Sequence, residues 1–328
     1  MKIGLRSHDG AEERLRYAQQ IGADGASIWG EALPGYREKG YATADTLREM
    51  RERFARYDLE LTGVGLGGQV IKNQLLGRPG RERDVENVCR TIQAIGEAYS
   101  DTDASPVLII DQRVTYWVRE GVTGGARVPN GPGGAYLYTF DIARFSGQMD
   151  APAGEVSQAE VWERMAYLYE RIIPVAEGAR VRLATHPDDP PLAYYRGVHQ
   201  VLNSFAGFKE FIARFPSPYN GLLLCLGCMQ EAGEDVPEVI RYFGERDKIF
   251  YVHFRNVRGK VPQYAEVFPH QGDMDAVAAL RALRDVGYDR YIVADHHVGL
   301  LGDTEWSHMS QAWHVGYFIG LMQGLGIR

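Results

Sequence analysis

Four side chains of the kinds that coordinate divalent metals stand in four short β-rich runs. His186 closes Val181–His186, Cys225 closes Gly221–Cys225, His253 lies in Ile249–Phe254, and Asp295 closes Arg290–Asp295. Imidazole, thiolate and carboxylate are ligands for first-row ions, and one thiolate with one carboxylate balances the two charges of such an ion in a partly buried pocket. A set of two histidines, a cysteine and an aspartate suits zinc, while its mixed hard and soft donors also admit manganese, iron or cobalt. Singly, each residue has a plain structural role: a satisfied histidine, a small buried cysteine, an aspartate capping a helix. Their shared place at strand ends is what sets them apart. Cys225 and Cys228 have Cys-x-x-Cys spacing, but no second pair exists to complete a zinc ribbon or similar module. Cys225 closes the strand and is read as the ligand; Cys228 begins the turn that follows and is not.

Positioning these residues requires a fold that brings several strand ends to one place. Eight short β-rich runs alternate with stretches of helical period. They are Lys2–Arg6, Gly25–Trp29, Glu60–Leu66, Val107–Asp111 and the four already named. The intervening helical segments are Ala11–Ile21, Thr43–Tyr57, Arg81–Tyr99, Val161–Glu177, Tyr195–Arg214, Asp235–Arg246, Asp273–Val286 and Trp306–Gly324. In the last of them Trp306, Met309, Trp313 and Tyr317 form one apolar face. Eight βα repeats predict an α/β protein, a single (β/α)8 barrel domain over residues 1–328, in which the C-terminal ends of the strands build the active site. Residues 113–156 break the alternation with glycine and proline clusters and with Tyr136, Tyr138 and Phe140. They are expected to form a long loop insertion after the fourth strand, placed to act as a lid.

At 328 residues the chain is long for one domain but ordinary for a barrel with insertions, and 45% hydrophobic with 24% charged residues is a globular composition. The net charge of −7 is spread along the chain with no basic, aromatic-laced face, which excludes nucleic acid as an expected partner. No apolar run is long enough to cross a membrane, and Met1–Arg6 carries charge where a signal peptide needs its apolar stretch. Three cysteines are an odd number for a disulfide framework. A cytoplasmic enzyme is expected, with a small sugar or sugar acid as its partner; a homo-oligomer is allowed.

Several motifs together resemble the mannonate dehydratase family: His186-Pro187-Asp188-Asp189-Pro190-Pro191, the Cys225-Leu226-Gly227 turn, His253-Phe254-Arg255-Asn256-Val257, Gly272-Asp273-Met274-Asp275 and Asp295-His296. The resemblance is strongest from about residue 181 to 297 and is only generic in the N-terminal third. It implies a xylose-isomerase-like barrel that uses a divalent metal, manganese being the expected ion, to convert D-mannonate to 2-keto-3-deoxy-D-gluconate. On that resemblance His186, Cys225, His253 and Asp295 take the ligand positions, His296 that of a catalytic histidine, and Arg255 that of a catalytic, substrate-contacting arginine. The chain departs from the family after Asp295-His296. It reads His297-Val298 in place of Gly-Arg, and no tyrosine occurs between Asp295 and Tyr317. Trp306 or His308 stands where the family has a catalytic tyrosine, and His308 is taken as a substrate-binding candidate.

The implied chemistry removes the proton beside a carboxylate and expels the neighbouring hydroxyl. An enediolate of that kind needs charge stabilisation, from the metal and from Arg255, and a group that titrates near neutrality, such as His296. A metal-dependent sugar isomerase or epimerase would use the same rim and the same ion without losing water.

Overall fold

In a computed structural model of the chain, which describes residues 1–66, 70–104, 106–111, 125–144, 151 and 153–328, eight parallel strands close into a barrel. They are β1 (Lys2–His8), β2 (Gly25–Trp29), β3 (Glu60–Gly65), β4 (Val107–Ile110), β5 (Arg182–Thr185), β6 (Asn220–Cys225), β7 (Ile249–His253) and β8 (Tyr291–Val293). Neighbours in the barrel are neighbours in sequence, and β8 closes on β1 with Lys2 opposite Tyr291. Strands in this position are covered on both faces, so they read as continuous apolar runs rather than alternating ones. Leu222, Leu223 and Leu224 of β6 are all fully buried, as are Phe250 and Val252 of β7.

Helices cover the outside of the barrel, and local signals start several of them. Ser157 and Glu160 form a reciprocal capping box at the head of Gln158–Ala179. Asp235 caps Val236–Gly244, and Asp275 caps Ala276–Asp285 through the backbone N–H groups of Val277 and Ala278. The final helix, His308–Gly324, begins where Asp303 accepts from Met309 N and Ser310 N at 2.9 and 3.1 Å.

Besides the last helix, which starts after Trp306 and buries His314, Val315, Phe318 and Met322 while Met309 is exposed, two segments differ from the sequence expectation. Tyr195 does not open a helix: Tyr194–Tyr195 and Val198–His199 pair as a small hairpin, and the helix runs only from Phe205 to Arg214. Arg196 and Gly197 both have positive φ, 52° and 84°, which is the two-residue turn that joins antiparallel strands and stops a helix. The other is residues 113–156, of which 113–124, 145–150 and 152 lie outside the described residues. The described part is not plain loop. Gly125–Val128 and Leu137–Asp141 form strands and join a four-stranded antiparallel sheet with Gln263–Val267 and Asn256–Lys260. The last two follow directly from β7, and Tyr136 exchanges two backbone hydrogen bonds with Gly299, beyond β8, at 2.9 and 2.8 Å. The sheet is therefore tied to the C-terminal rim at two strands. Its apolar residues pack as two small clusters, Ala135, Leu137, Val267 and Val298 in one and Phe140, Tyr195, Val257 and Tyr264 in the other.

Candidate metal centre

Strand register explains why four residues distant in sequence meet. Cys225 and His253 are direct partners across β6 and β7, and Val293 of β8 is the partner of His253, so Asp295 lies two residues further along the same rim. On the other side Thr185 pairs with Leu222, and His186 is the next residue beyond β5. One nitrogen, sulfur or oxygen atom from each of His186, Cys225, His253 and Asp295 lies within 4.8 Å of the others, and all four residues are buried.

The donor set fits a divalent cation on its own chemistry. His186 Nδ1 sits 2.7 Å from the Pro187 carbonyl oxygen, so it donates there and leaves the lone pair on Nε2. His253 Nδ1 is 3.3 Å from Asp295 Oδ1, yet it is a buried ring nitrogen with no hydrogen bond, the kind of atom a cation satisfies. Burial alone would lower the affinity of His253 for a proton, but Asp295 and the Cys225 sulfur raise it, so the pocket favours positive charge at its centre. Burial likewise opposes the charged forms of Cys225 and Asp295. Against it, Cys228, Arg255 and the two histidines hold the Cys225 thiol well below its ordinary value, and Arg6, His253 and His296 do the same for Asp295. Cys225 Sγ lies 3.8 Å from Asp295 Oδ2, placed to donate its S–H to the carboxylate.

A second group, Asp189, Cys228 and Glu231, also brings three potential ligand atoms within 4.8 Å. Its charge is already met. Arg255 lies across it with Nη1 paired to Glu231, Nη2 3.2 Å from Cys228 Sγ and 3.5 Å from Asp189 Oδ2. The same guanidinium reaches Asp295 Oδ2 at 3.3 Å and Glu266 Oε1 at 3.6 Å. Glu231, Cys225 and Glu266 keep it charged against its burial. Gly227 makes this possible, since a Cβ there would stand 2.5 Å from Arg255 Cγ and 2.8 Å from its Cζ and Nε. The His-Pro-Asp-Asp-Pro-Pro run has a structural share in the arrangement: Asp188 Oδ2 accepts from Leu202 N at 2.8 Å and so fixes the loop that carries Asp189.

His296 stands at the edge of the cluster. Its Nδ1 lies 2.9 and 2.8 Å from the two oxygens of Glu266, and its Nε2 is 3.6 Å from Asp295 Oδ2. The Tyr138 ring, from the added sheet, lies beside it at 5.9 Å between centroids. A cavity of about 450 Å³ opens next to Asp295 and is lined by Arg6, Arg14, His297, Trp306 and Gln311 among others.

Comparison with known proteins gives this geometry a family. A sequence model of the D-mannonate dehydratase (UxuA) family matches residues 137–327, more than half the chain. The chain belongs to the D-mannonate dehydratase family. The chain is 28% identical over 283 residues to the mannonate dehydratase of Thermotoga maritima, covering 76% of this chain and 77% of that one. To mannonate dehydratase 2 of Halalkalibacterium halodurans it is 26% identical over 311 residues, 86% of each. The crystal structure of mannonate dehydratase from Streptococcus suis serotype 2 superposes with a TM-score of 0.83 at 23% identity, over 99% of this chain and 96% of that one, which establishes the shared barrel.

His186, Cys225, His253, Asp295 and His296 converge. Arg255 lies against them with its nitrogens turned to internal carboxylates. His308 stands apart: its Nδ1 is held by Thr304 Oγ1 at 2.8 Å and Asp303 Oδ1 at 3.1 Å, and it is not among the residues lining the cavity, whereas Trp306 is. Three supporting residues escaped sequence reasoning. Arg6 pairs with Asp295, Glu231 with Arg255, and Glu266 with His296. Arg6 had a signal, a charged residue ending a barrel strand. Glu231 and Glu266 had none, because they reach the site from a short helix and a hairpin that local periodicity did not reveal.

Proposed function

We propose that this chain dehydrates D-mannonate to 2-keto-3-deoxy-D-gluconate, using a divalent ion held by His186, Cys225, His253 and Asp295. The observation that carries the reading is the convergence of four buried donor atoms beside an open cavity, in a chain of this family. When bound, the ion would stabilise the negative charge that grows on the substrate carboxylate as the neighbouring carbon loses its proton. Manganese is the ion expected from the resemblance to the family, and the mixed donor set of His186, Cys225, His253 and Asp295 also admits zinc, iron or cobalt.

His296 receives that proton. Glu266 takes the Nδ1 hydrogen bond, which places the ring's lone pair on Nε2, the nitrogen turned toward Asp295 and the cluster. Arg255 acts as a positioning group: its guanidinium holds Asp295, Glu231 and Glu266 in one charge-balanced frame, so that Asp295 and the partner of His296 keep their places. Arg6 fixes the other oxygen of Asp295. The whole chain reads as one barrel domain, and the described part of the insertion, residues 125–144, supplies strands to the sheet tied to the rim. Among the described residues no helix is long and apolar enough to cross a membrane. The cytoplasm is the compartment in which Cys225 stays a free thiol.

The test is turnover with added manganese of a panel of aldonic acids and ketoses, with semicarbazide used to detect a 2-keto-3-deoxy acid by its absorbance. Formation of that product from D-mannonate supports the reading. Isomerised or epimerised sugar, or no 2-keto-3-deoxy product from any aldonate, overturns it.

A further inference from the structure

Dehydration beside a carboxylate needs two proton transfers at different atoms. One removes hydrogen from C2. The other must protonate the oxygen on C3 as its bond to carbon breaks, because hydroxide is a poor leaving group. His296 accounts for the first. Around it, Glu266 is engaged with Nδ1 and lies 3.6 Å from Arg255, and Asp295 belongs to the ligand cluster, so neither carboxylate is a ready acid. A phenol, by contrast, carries its proton throughout the neutral range and is a suitable donor.

The added sheet brings a phenol to this spot. On the strand Leu137–Asp141 side chains alternate between faces, and Leu137 packs into the cluster with Ala135, Val267 and Val298. Tyr138 takes the opposite face, is 39% exposed, and lies with its ring 5.9 Å from that of His296 at 40° between planes. Its position is built rather than incidental. The two hydrogen bonds between Tyr136 and Gly299 fasten the strand to the segment that follows His296, and Glu266, which holds His296, belongs to the adjoining strand Gln263–Val267 of the same sheet. One sheet therefore presents both the group that orients the imidazole and a phenol beside it.

We propose that Tyr138 is a catalytic residue of this reaction, the acid that protonates the departing C3 hydroxyl. This rests on the dehydratase reading given above. The C2–H bond breaks with its proton going to His296 Nε2, and the electron pair is held as an enediolate. The C3–O bond then breaks with its electron pair, the oxygen takes the Tyr138 proton and leaves as water, and the enol formed between C2 and C3 becomes the 2-keto acid as C3 gains a proton from solvent and the C2 hydroxyl gives its proton up to solvent. The imidazolium and solvent return a proton to the tyrosinate, so no oxidant or reductant is involved.

The experiment compares the manganese-loaded wild-type protein with Tyr138→Phe and His296→Asn, measuring both product formation from D-mannonate and wash-in of deuterium at C2 in heavy water. Tyr138→Phe keeps the ring and removes only the hydroxyl, so its melting temperature and metal content should match the wild type. Its kcat should fall by about a hundredfold or more, while C2 exchange persists, because the enediolate forms and returns. His296→Asn should lose exchange and dehydration together. Wild-type kcat in Tyr138→Phe, or a parallel loss of exchange and dehydration in a folded, metal-replete Tyr138→Phe, overturns the assignment. A wild-type protein that dehydrates no aldonate overturns the parent reading instead, and this one with it; the two failures appear in different samples.

Discussion

Replacing Glu266 by glutamine tests how the imidazole of His296 is prepared. The carboxylate holds Nδ1 with oxygens at 2.8 and 2.9 Å and can only accept, so the ring must carry its hydrogen on Nδ1 and its lone pair on Nε2. A glutamine of the same shape offers an N–H to Nδ1. Where that N–H faces the ring, Nε2 carries the hydrogen and cannot receive the substrate proton, and in either orientation of the amide the charge that supports the imidazolium is gone. The same logic in other histidine–carboxylate pairs gives losses of roughly 10²- to 10⁴-fold in kcat, or about 3 to 5 kcal/mol of barrel-rim stabilisation lost in the transition state. Little of this should come from displacement of Arg255, because Glu266 is its more distant partner at 3.6 Å, while Glu231 pairs with it directly and Asp295 lies at 3.3 Å. Steady-state assay of the 2-keto-3-deoxy acid, with metal content measured on the same preparation, should show kcat reduced by that factor and metal unchanged. A variant with wild-type kcat would refute the tautomer argument. One that lost its metal would show that Glu266 supports the cluster rather than the base.

Other expectations follow from the same geometry. His186→Ala and His253→Ala should each reduce bound metal from about one ion per chain to almost none, since each removes one of four donors; elemental analysis showing equal metal in all three proteins would dismiss the site. Cys225→Ser should weaken metal binding sharply and Cys228→Ser only slightly, because Cys228 is turned to Arg255 and outside the four-donor cluster; equal losses by metal titration would count against that division. His314 is buried, donates from Nδ1 to the Ser310 carbonyl oxygen at 2.7 Å, and is pushed down by burial to about 4 from its ordinary 6.5. The unfolded chain therefore binds this proton first as acid is added. Stability that is complete above about pH 6.5 should decline toward pH 4, on the order of 3 kcal/mol from this group. In His314→Gln the slope of melting temperature against pH over that window should be shallower, and an unchanged slope would contradict it.

The barrel was legible because its strands announce themselves locally. Runs such as Leu222-Leu223-Leu224 are buried on both faces, alternate with amphipathic helices, and end near residues whose chemistry differs from the run itself. That Cys225, His253 and Asp295 would share a rim followed from closing such strands in order, without knowledge of the exact register. The four-stranded sheet was not legible in the same way. Leu137–Asp141 pairs locally with Gly125–Val128 and Gln263–Val267 with Asn256–Lys260, but the pairing that joins the two hairpins into one sheet spans more than a hundred residues. Glycine and proline around residues 129–134 described the turn but not what it joined. Glu231 and Glu266 were hidden too, since their roles exist only by virtue of Arg255 and His296, which reach them from other elements. Arg255 shows the difference in one residue. Its place beside the cluster was readable from His253-Phe254-Arg255, but its orientation is set by Glu231, Asp189 and Glu266, which arrive from three other segments. Ligand type and strand position can be read along a chain. The charge balance that fixes how a buried guanidinium or imidazole points belongs to tertiary contacts, and in this protein the sheet above the rim supplies much of it.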